Sequence, residues 1–301
     1  MPGVPRLFVL LAALLFGTTG TAQALGPDAS PLAVGAARIA VGAVLLIGVA
    51  RVLPRARRRL SWDTANLGLL AVGIAVYQVT FFAAVADTGV AVGTVVAIGS
   101  APVLAGLLAR IFDGTPLTGR WVASTACATL GVALLVLGGR AAQVSAPGVA
   151  LALGAGASYA VYTVTSKRLL AAGHAPERVM ARGFGFAALL LAPLVALVGF
   201  PGTLLSTEGL ALALYLGAVP TALAYVLFAR GLRRLTPGET ATLTLAEPLT
   251  AAVLGALVLG ERPGLVAIAG AVLVLAGLAA LAWPQRRRSP GAIPGPTPDR
   301  A

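Results

Sequence analysis

Glu247 is the residue in this chain best placed to do chemistry. It is a carboxylate inside "TATLTLAEPLTAAVLGALVLGE", a run from Thr240 to Glu261 that is otherwise almost entirely apolar or small. Pro248 follows it and brings a ring with no backbone donor. A carboxylate in such surroundings binds a proton, contacts a cation or steers a gate, because intramembrane ionisable groups are expensive and mark pathways. The bland reading stands beside it: a packing carboxyl bonded to the backbone that the proline frees.

Other polar groups recur at helical spacing inside apolar runs. Tyr77, Gln78 and Phe81 stand together, with Tyr77 and Phe81 on one face at i, i+4. Tyr159 and Tyr162 repeat this at i, i+3, and Tyr225 lies in a later run. A mid-membrane tyrosine needs a partner for its hydroxyl, so these side chains are expected to line a cavity. Thr240, Thr242 and Thr244 rank lower, since each hydroxyl can bond its own helix. Arg38 lies early in the second apolar run. Its long stem favours snorkelling to the interface; the alternative is a cavity cation paired with Glu247.

Enzyme and metal chemistry find little here. There is no H-E-x-x-H, no phosphate loop of the G-x-x-x-x-G-K-[ST] type and no second membrane carboxylate for a dyad. The single histidine, His174, sits in a polar loop and is expected to be solvated. The single cysteine, Cys127, lies in an apolar run, which leaves no intrachain disulfide or cysteine metal set. The reading is therefore not an enzyme, with no cofactor and no metal. Transport by this chain alone would be secondary or facilitated rather than ATP-driven.

The elements that must position these residues follow from composition. The chain is 58% hydrophobic and 11% charged, against about 45–50% and about 25% in soluble domains. Apolar runs fall at 6–25, 31–53, 64–86, 89–111, 120–138, 147–167, 177–199, 208–230, 237–259 and 263–283. Most approach the ~20 residues needed to cross a ~30 Å hydrocarbon core. The expected fold is an all-α integral membrane protein of ten transmembrane helices. The first run also has the charged start and A-x-A-like end of a signal peptide; an uncleaved first span is the stronger reading.

The net charge of +12 does not mark a nucleic-acid binder, because the cations lie between the apolar runs rather than on one face. Arg51, Arg55, Arg57, Arg58, Arg59, Arg110, Arg120, Lys167, Arg168, Arg178, Arg182, Arg230, Arg233, Arg234 and Arg286–Arg288 fall on one side. Only Arg140 and Arg262 fall in the opposite loops. That bias places both termini in the cytoplasm of a multi-pass cell-membrane protein. The partners expected are the lipid bilayer, a small-molecule substrate and a coupling proton, in a monomer or homodimer. The Pro-rich tail 285–301 is expected to be disordered.

A repeat underlies the ten spans. Shifting by 146 positions brings Phe82 onto Phe228, Thr94 onto Thr240, Pro102 onto Pro248, Gly114 onto Gly260 and Gly131 onto Gly277. The halves are read as 1–139 and 140–284. Five spans is an odd number, so the halves are inverted, which puts a substrate site near the midplane between them. Pro102 and Pro248 are expected to kink spans four and nine towards the bundle centre, where freed backbone is tolerable, and to serve as gates. Gly89 and Gly93, like Gly270 and Gly277, have a spacing that permits close helix packing.

The stretch "AYVLFARGLRRLTPGETATLTLAEPLTAAVLGALVLGERPGLVAIAGAVLVLAGL" resembles the second repeat of the EamA family of the drug/metabolite transporter superfamily. The "EP" within span nine, the "LGE" that ends it and the Gly-rich last helix carry the likeness. "TFFAAVADTGVAVGTVVAIGSAPVLAGLLA" resembles the matching part of the first repeat, with Ala101 where the second has Glu247. The resemblance covers about residues 6–283 and implies a ten-helix carrier, often an exporter of amino acids or other small metabolites. Alternating access through a central cavity is the expected mechanism, with a channel-like pore, a multidrug exporter or a non-transport membrane protein as alternatives.

Overall fold

A computed structural model describes residues 3–53, 60–138, 145–198 and 202–283. Arg55, Arg57, Arg58, Arg59, Arg140, Arg286, Arg287, Arg288 and the tail 285–301 lie outside the described residues. Among the described residues, nine helices are long and apolar enough to cross a bilayer. They are α1 (Val4–Ala24), α2 (Pro31–Val52), α3 (Thr64–Asp113), α4 (Gly119–Leu137), α5 (Ala146–Ala171) and α6 (Pro176–Val198). Then follow α7 (Thr207–Leu232), α8 (Pro237–Val258) and α9 (Leu265–Ala282).

Turn residues start these helices where the sequence puts them. Ser30, Asp63, Thr118, Ser145 and Ser206 each accept a first-turn backbone N–H. Thr236 does the same and closes a reciprocal box with Glu239. Such caps contribute about 1 kcal/mol apiece by satisfying donors that no helix turn can reach.

Helix α3 supplies two crossings. Its 50 residues would reach about 75 Å if straight, more than twice a ~30 Å core. Gly89, at φ 80° and ψ 159°, breaks the run into arms 64–88 and 90–113. A Cβ on Gly93 would lie 3.2 Å from Val85 Cγ2, although residues eight apart in a straight helix are separated by about 12 Å. The arms therefore fold back on one another, and the chain makes ten crossings as two inverted sets of five. Gly89 is the turn itself and not a packing glycine: no atom lies within 4 Å of a Cβ built on it. Its torsions, closed to residues with a Cβ, are what the position requires.

The pseudo-twofold relation is visible atom by atom where α4 packs along α9. A Cβ on Gly131 would meet Val274 N at 2.6 Å and Gly270 O at 2.8 Å. A Cβ on Gly277 would meet Ala128 N and Ser124 O, both at 2.8 Å. These are the same contacts displaced by 146 positions. Gly114 and Gly260 share it too, ending equivalent helices at φ 64° and φ 71°. Small residues let the last helices of the two halves touch backbone to backbone.

The prolines behave differently from one another. Pro102 is buried and its helix keeps helical torsions through it, so no break in the helix falls there. Hydroxyls of Ser100 and Thr129 reach the nearby carbonyls of Ala97 and Gly99. Pro248 does break its helix, which runs Pro237–Leu243 and resumes at Ala246–Val258. Its ring has no N–H for the Thr244 carbonyl four residues back, and Glu247 N takes that acceptor instead at 2.9 Å. A third proline, Pro220, sits in a π-turn at Ala218–Leu223 within α7. The Leu216 carbonyl it leaves unbonded accepts the Thr221 hydroxyl at 2.7 Å.

Candidate functional site

The tyrosines of separate helices converge. Tyr77 of α3 stacks on Phe81 with centroids 5.6 Å apart and stands edge-on to Tyr159 and Tyr162 of α5 at 6.3 and 6.4 Å. Tyr159 and Tyr162 are 4.8 Å apart, and Tyr162 reaches Tyr225 of α7. The hydroxyls of Tyr159, Tyr162 and Tyr225 find partners, as burial demands. Tyr159 shares a 3.0 Å bond with Thr244, and Tyr162 a 3.4 Å bond with Tyr225. Four of the chain's five tyrosines thus form one cluster fed by both repeats.

Glu247 belongs to the same region. It sits on the turn that Pro248 imposes on α8, half-buried, and its carboxylate bonds no described residue. Tyr77, Tyr159, Tyr225 and Arg38 all lie within its electrostatic reach.

Arg38 does not snorkel. It turns inward from α2, and its Nη2 donates to Gln78 Oε1 at 3.1 Å. Gln78, only 2% exposed, in turn donates Nε2 to the Gly35 carbonyl at 3.3 Å. The amide is therefore a strut that aims the guanidinium rather than an open lining group. Arg38 Nε is buried with no partner among the described residues, and no ion pair joins Arg38 to Glu247. Inward pairing beats snorkelling here because Gln78 offers a fixed acceptor one helix away.

His174 is not solvated. It is 5% exposed and stacked on Trp62 at 3.9 Å. Burial lowers its pKa from the ordinary 6.5, and the nearby Arg182 charge adds to the effect, against a hydrogen bond that its ring N–H donates to the Ser61 backbone, which raises it. A loop next to an aromatic residue on another loop can close over it, and the sequence spacing does not reveal that.

Several members of the cluster escaped the sequence reading. Phe16 of α1, Phe184 of α6 and Phe228 of α7 pack round Tyr225 at 4.9, 4.4 and 5.9 Å. Phe228 carried a signal in its repeat partner Phe82. The threonines of α8 do bond their own helix, Thr240 to Thr236 O, Thr242 to Gly238 O and Thr244 to Ala241 O. Thr244 nonetheless holds Tyr159, and Thr242 meets Thr125 of α4 at 2.8 Å.

At one end of the bundle, charges tie helix ends together. Arg230 of α7 meets Glu177 of α6 at 2.6 Å, and Arg168 of α5 meets Asp113 of α3 at 2.8 Å. Lys167 donates to the Leu232 and Arg233 carbonyls that end α7. Arg120 of α4 does the same for Ala280 and Leu281 of α9. Cations at helix C-termini satisfy orphan carbonyls and complement the dipole.

Ten apolar crossings in two inverted halves, with a polar aromatic cluster between them, define a multi-pass helical membrane transporter. The model of the EamA-like transporter family matches residues 5–137 and 146–283, and the chain belongs to that family. It is 40% identical over 284 residues to the uncharacterized transporter YwfM of Bacillus subtilis (strain 168), covering 94% of this chain and 95% of that one. It is 33% identical over 264 residues to the threonine/homoserine exporter RhtA of Escherichia coli (strain K12), covering 87% and 85%. A solved crystal structure superposes with a TM-score of 0.77 over 92% of this chain and 95% of its own, at 23% identity, and so shares the fold.

Proposed function

We propose that this protein is a secondary carrier that exports a small zwitterionic metabolite, an amino acid or a close relative, from the cell by alternating access. The observation that carries the reading is that Arg38 and Glu247 lie within electrostatic reach of each other with no ion pair between them. One repeat contributes a cation and the other an anion, both edge the tyrosine cluster, and they are not bonded to each other. Such an arrangement suits a ligand with a carboxylate at one end and an ammonium at the other, held across the interface of the halves. Glu247 also suits a coupling proton, because a carboxylate without a fixed partner can trade a cation for a proton. The break at Pro248 gives α8 a hinge beside the site. The cation bias of the loops supports a reading in which the zipped end and both termini face the cytoplasm.

The exporter of threonine and homoserine among the relatives supplies the first substrates to try. Purified protein in vesicles loaded with threonine is expected to release it, with Glu247→Gln and Arg38→Gln each reducing flux at least about tenfold while leaving a folded protein. Unchanged flux in both variants refutes the two-charge site. Preloading the far side accelerates uptake by a carrier; its failure to do so favours an open pore instead.

A further inference from the structure

A second feature lies away from the cluster, on the outer face between α2 and α6. There the helices leave a groove of about 700 Å³, within the ~300–1,000 Å³ range of ligand sites. Its walls are apolar, with Val44, Ile47, Phe186 and Leu189 among them. Val44 and Leu189 are 69% and 68% exposed. Small residues keep the floor low: a Cβ on Gly185 would just touch Ile47 at 3.5 Å.

One end of the groove is built differently. Arg51 from the last turn of α2 and Arg178 and Arg182 from the start of α6 line it, and no acidic residue does among the described lining. Arg178 and Arg182 are one turn apart on a common face. Arg182 lies over the Trp62 ring, 4.0 Å from its centroid, a contact that orients the cation and leaves its N–H edges available. The acidic neighbour on α6, Glu177, is already held by Arg230.

We propose that this groove is a binding site for an anionic phospholipid, with an acyl chain along the apolar walls and the headgroup phosphate among Arg51, Arg178 and Arg182. Basic pockets between membrane helices on the cytoplasmic side favour such headgroups. A second copy of the chain fits less well. A twofold axis along the membrane normal would bring the same three cations of each copy to one level, where they repel. The site is separate from the transport reading, and neither depends on the other.

Native mass spectrometry of the full chain in detergent, with equal phosphatidylglycerol and phosphatidylcholine, tests it. The wild type is expected to retain one phosphatidylglycerol in preference to phosphatidylcholine. Arg51→Gln and the double variant with Arg182→Gln are expected to lose about fivefold in that preference per arginine removed, with phosphatidylcholine retention unchanged. Gly185→Leu fills the groove without touching a charge and is expected to lower retention of both lipids, which keeps the test open should the double variant fold poorly. Equal retention of the two lipids by the wild type, a preference untouched by Arg51→Gln, or a dimer sealed through Phe186 and Leu189 overturns the assignment.

Discussion

Tyr159 is held by Thr244, the residue whose carbonyl Pro248 cannot bond, so one hydrogen bond links the aromatic cluster to the hinge. In a double-mutant cycle, Tyr159→Phe and Thr244→Val are expected to couple by about 1 kcal/mol; thermal melts of the purified protein measure it, and additive effects would show that the bond contributes nothing. His174 makes a second prediction at this scale. Its folded pKa lies below 6.5, so the folded state favours the neutral ring and the unfolded state binds the proton first. Stability from this group is fully present above pH 6.5 and is lost as pH falls below it towards the depressed folded value. The melting temperature is expected to drop between pH 7.5 and the acid side of that window, and His174→Gln to flatten part of the drop. An identical slope in the variant contradicts it.

At the scale of elements, the α4–α9 contact depends on the absence of two Cβ atoms. Gly131 and Gly277 face backbone atoms rather than side-chain ends, so no rotamer change makes room for a larger residue. Gly131→Leu and Gly277→Leu are expected to destabilise alike, by about 1–3 kcal/mol or more, through overpacking. Gly48→Leu, with nothing within 4 Å of its position, is the control and is expected to be neutral. Yield and melting temperature of the three variants decide it, and unequal losses at Gly131 and Gly277 would count against a symmetric interface. Helix α1 packs between α7 and α8, and its Gly17 would, with a Cβ, sit 2.7 Å from the Glu247 carbonyl oxygen. The first helix therefore braces the hinge.

For the whole molecule, the ion pairs and the lysine and arginine caps tie the helices together at one end, and in the proposed alternating-access cycle they would have to be released for that end to open. The Arg230–Glu177 pair joins α7 to α6 across that end. Arg230 is 44% exposed, so its loss is worth only about 1 kcal/mol, or about a fivefold shift between states. Glu177→Gln is expected to speed thiol labelling of Ser166→Cys, fully buried beside these ties, by about that factor in a Cys127→Ala background. Unaltered labelling would mean that the pair does not hold this end shut.

Composition determined that the chain crosses a membrane, and the Gly and Pro markers fixed the two-fold repeat, because apolar length and backbone-special residues act locally. The same logic reached Glu247 and the four tyrosines, since a polar group in an apolar run must face protein or water wherever it lies. Direction was decided only in three dimensions. Arg38 turned inward because Gln78 of another helix offers an acceptor, Pro102 left its helix unbroken where Pro248 broke one, Gly89 became a turn, and His174 was covered by Trp62. Each of these outcomes depends on a neighbour far away in the chain, and no local spacing encodes which neighbour arrives.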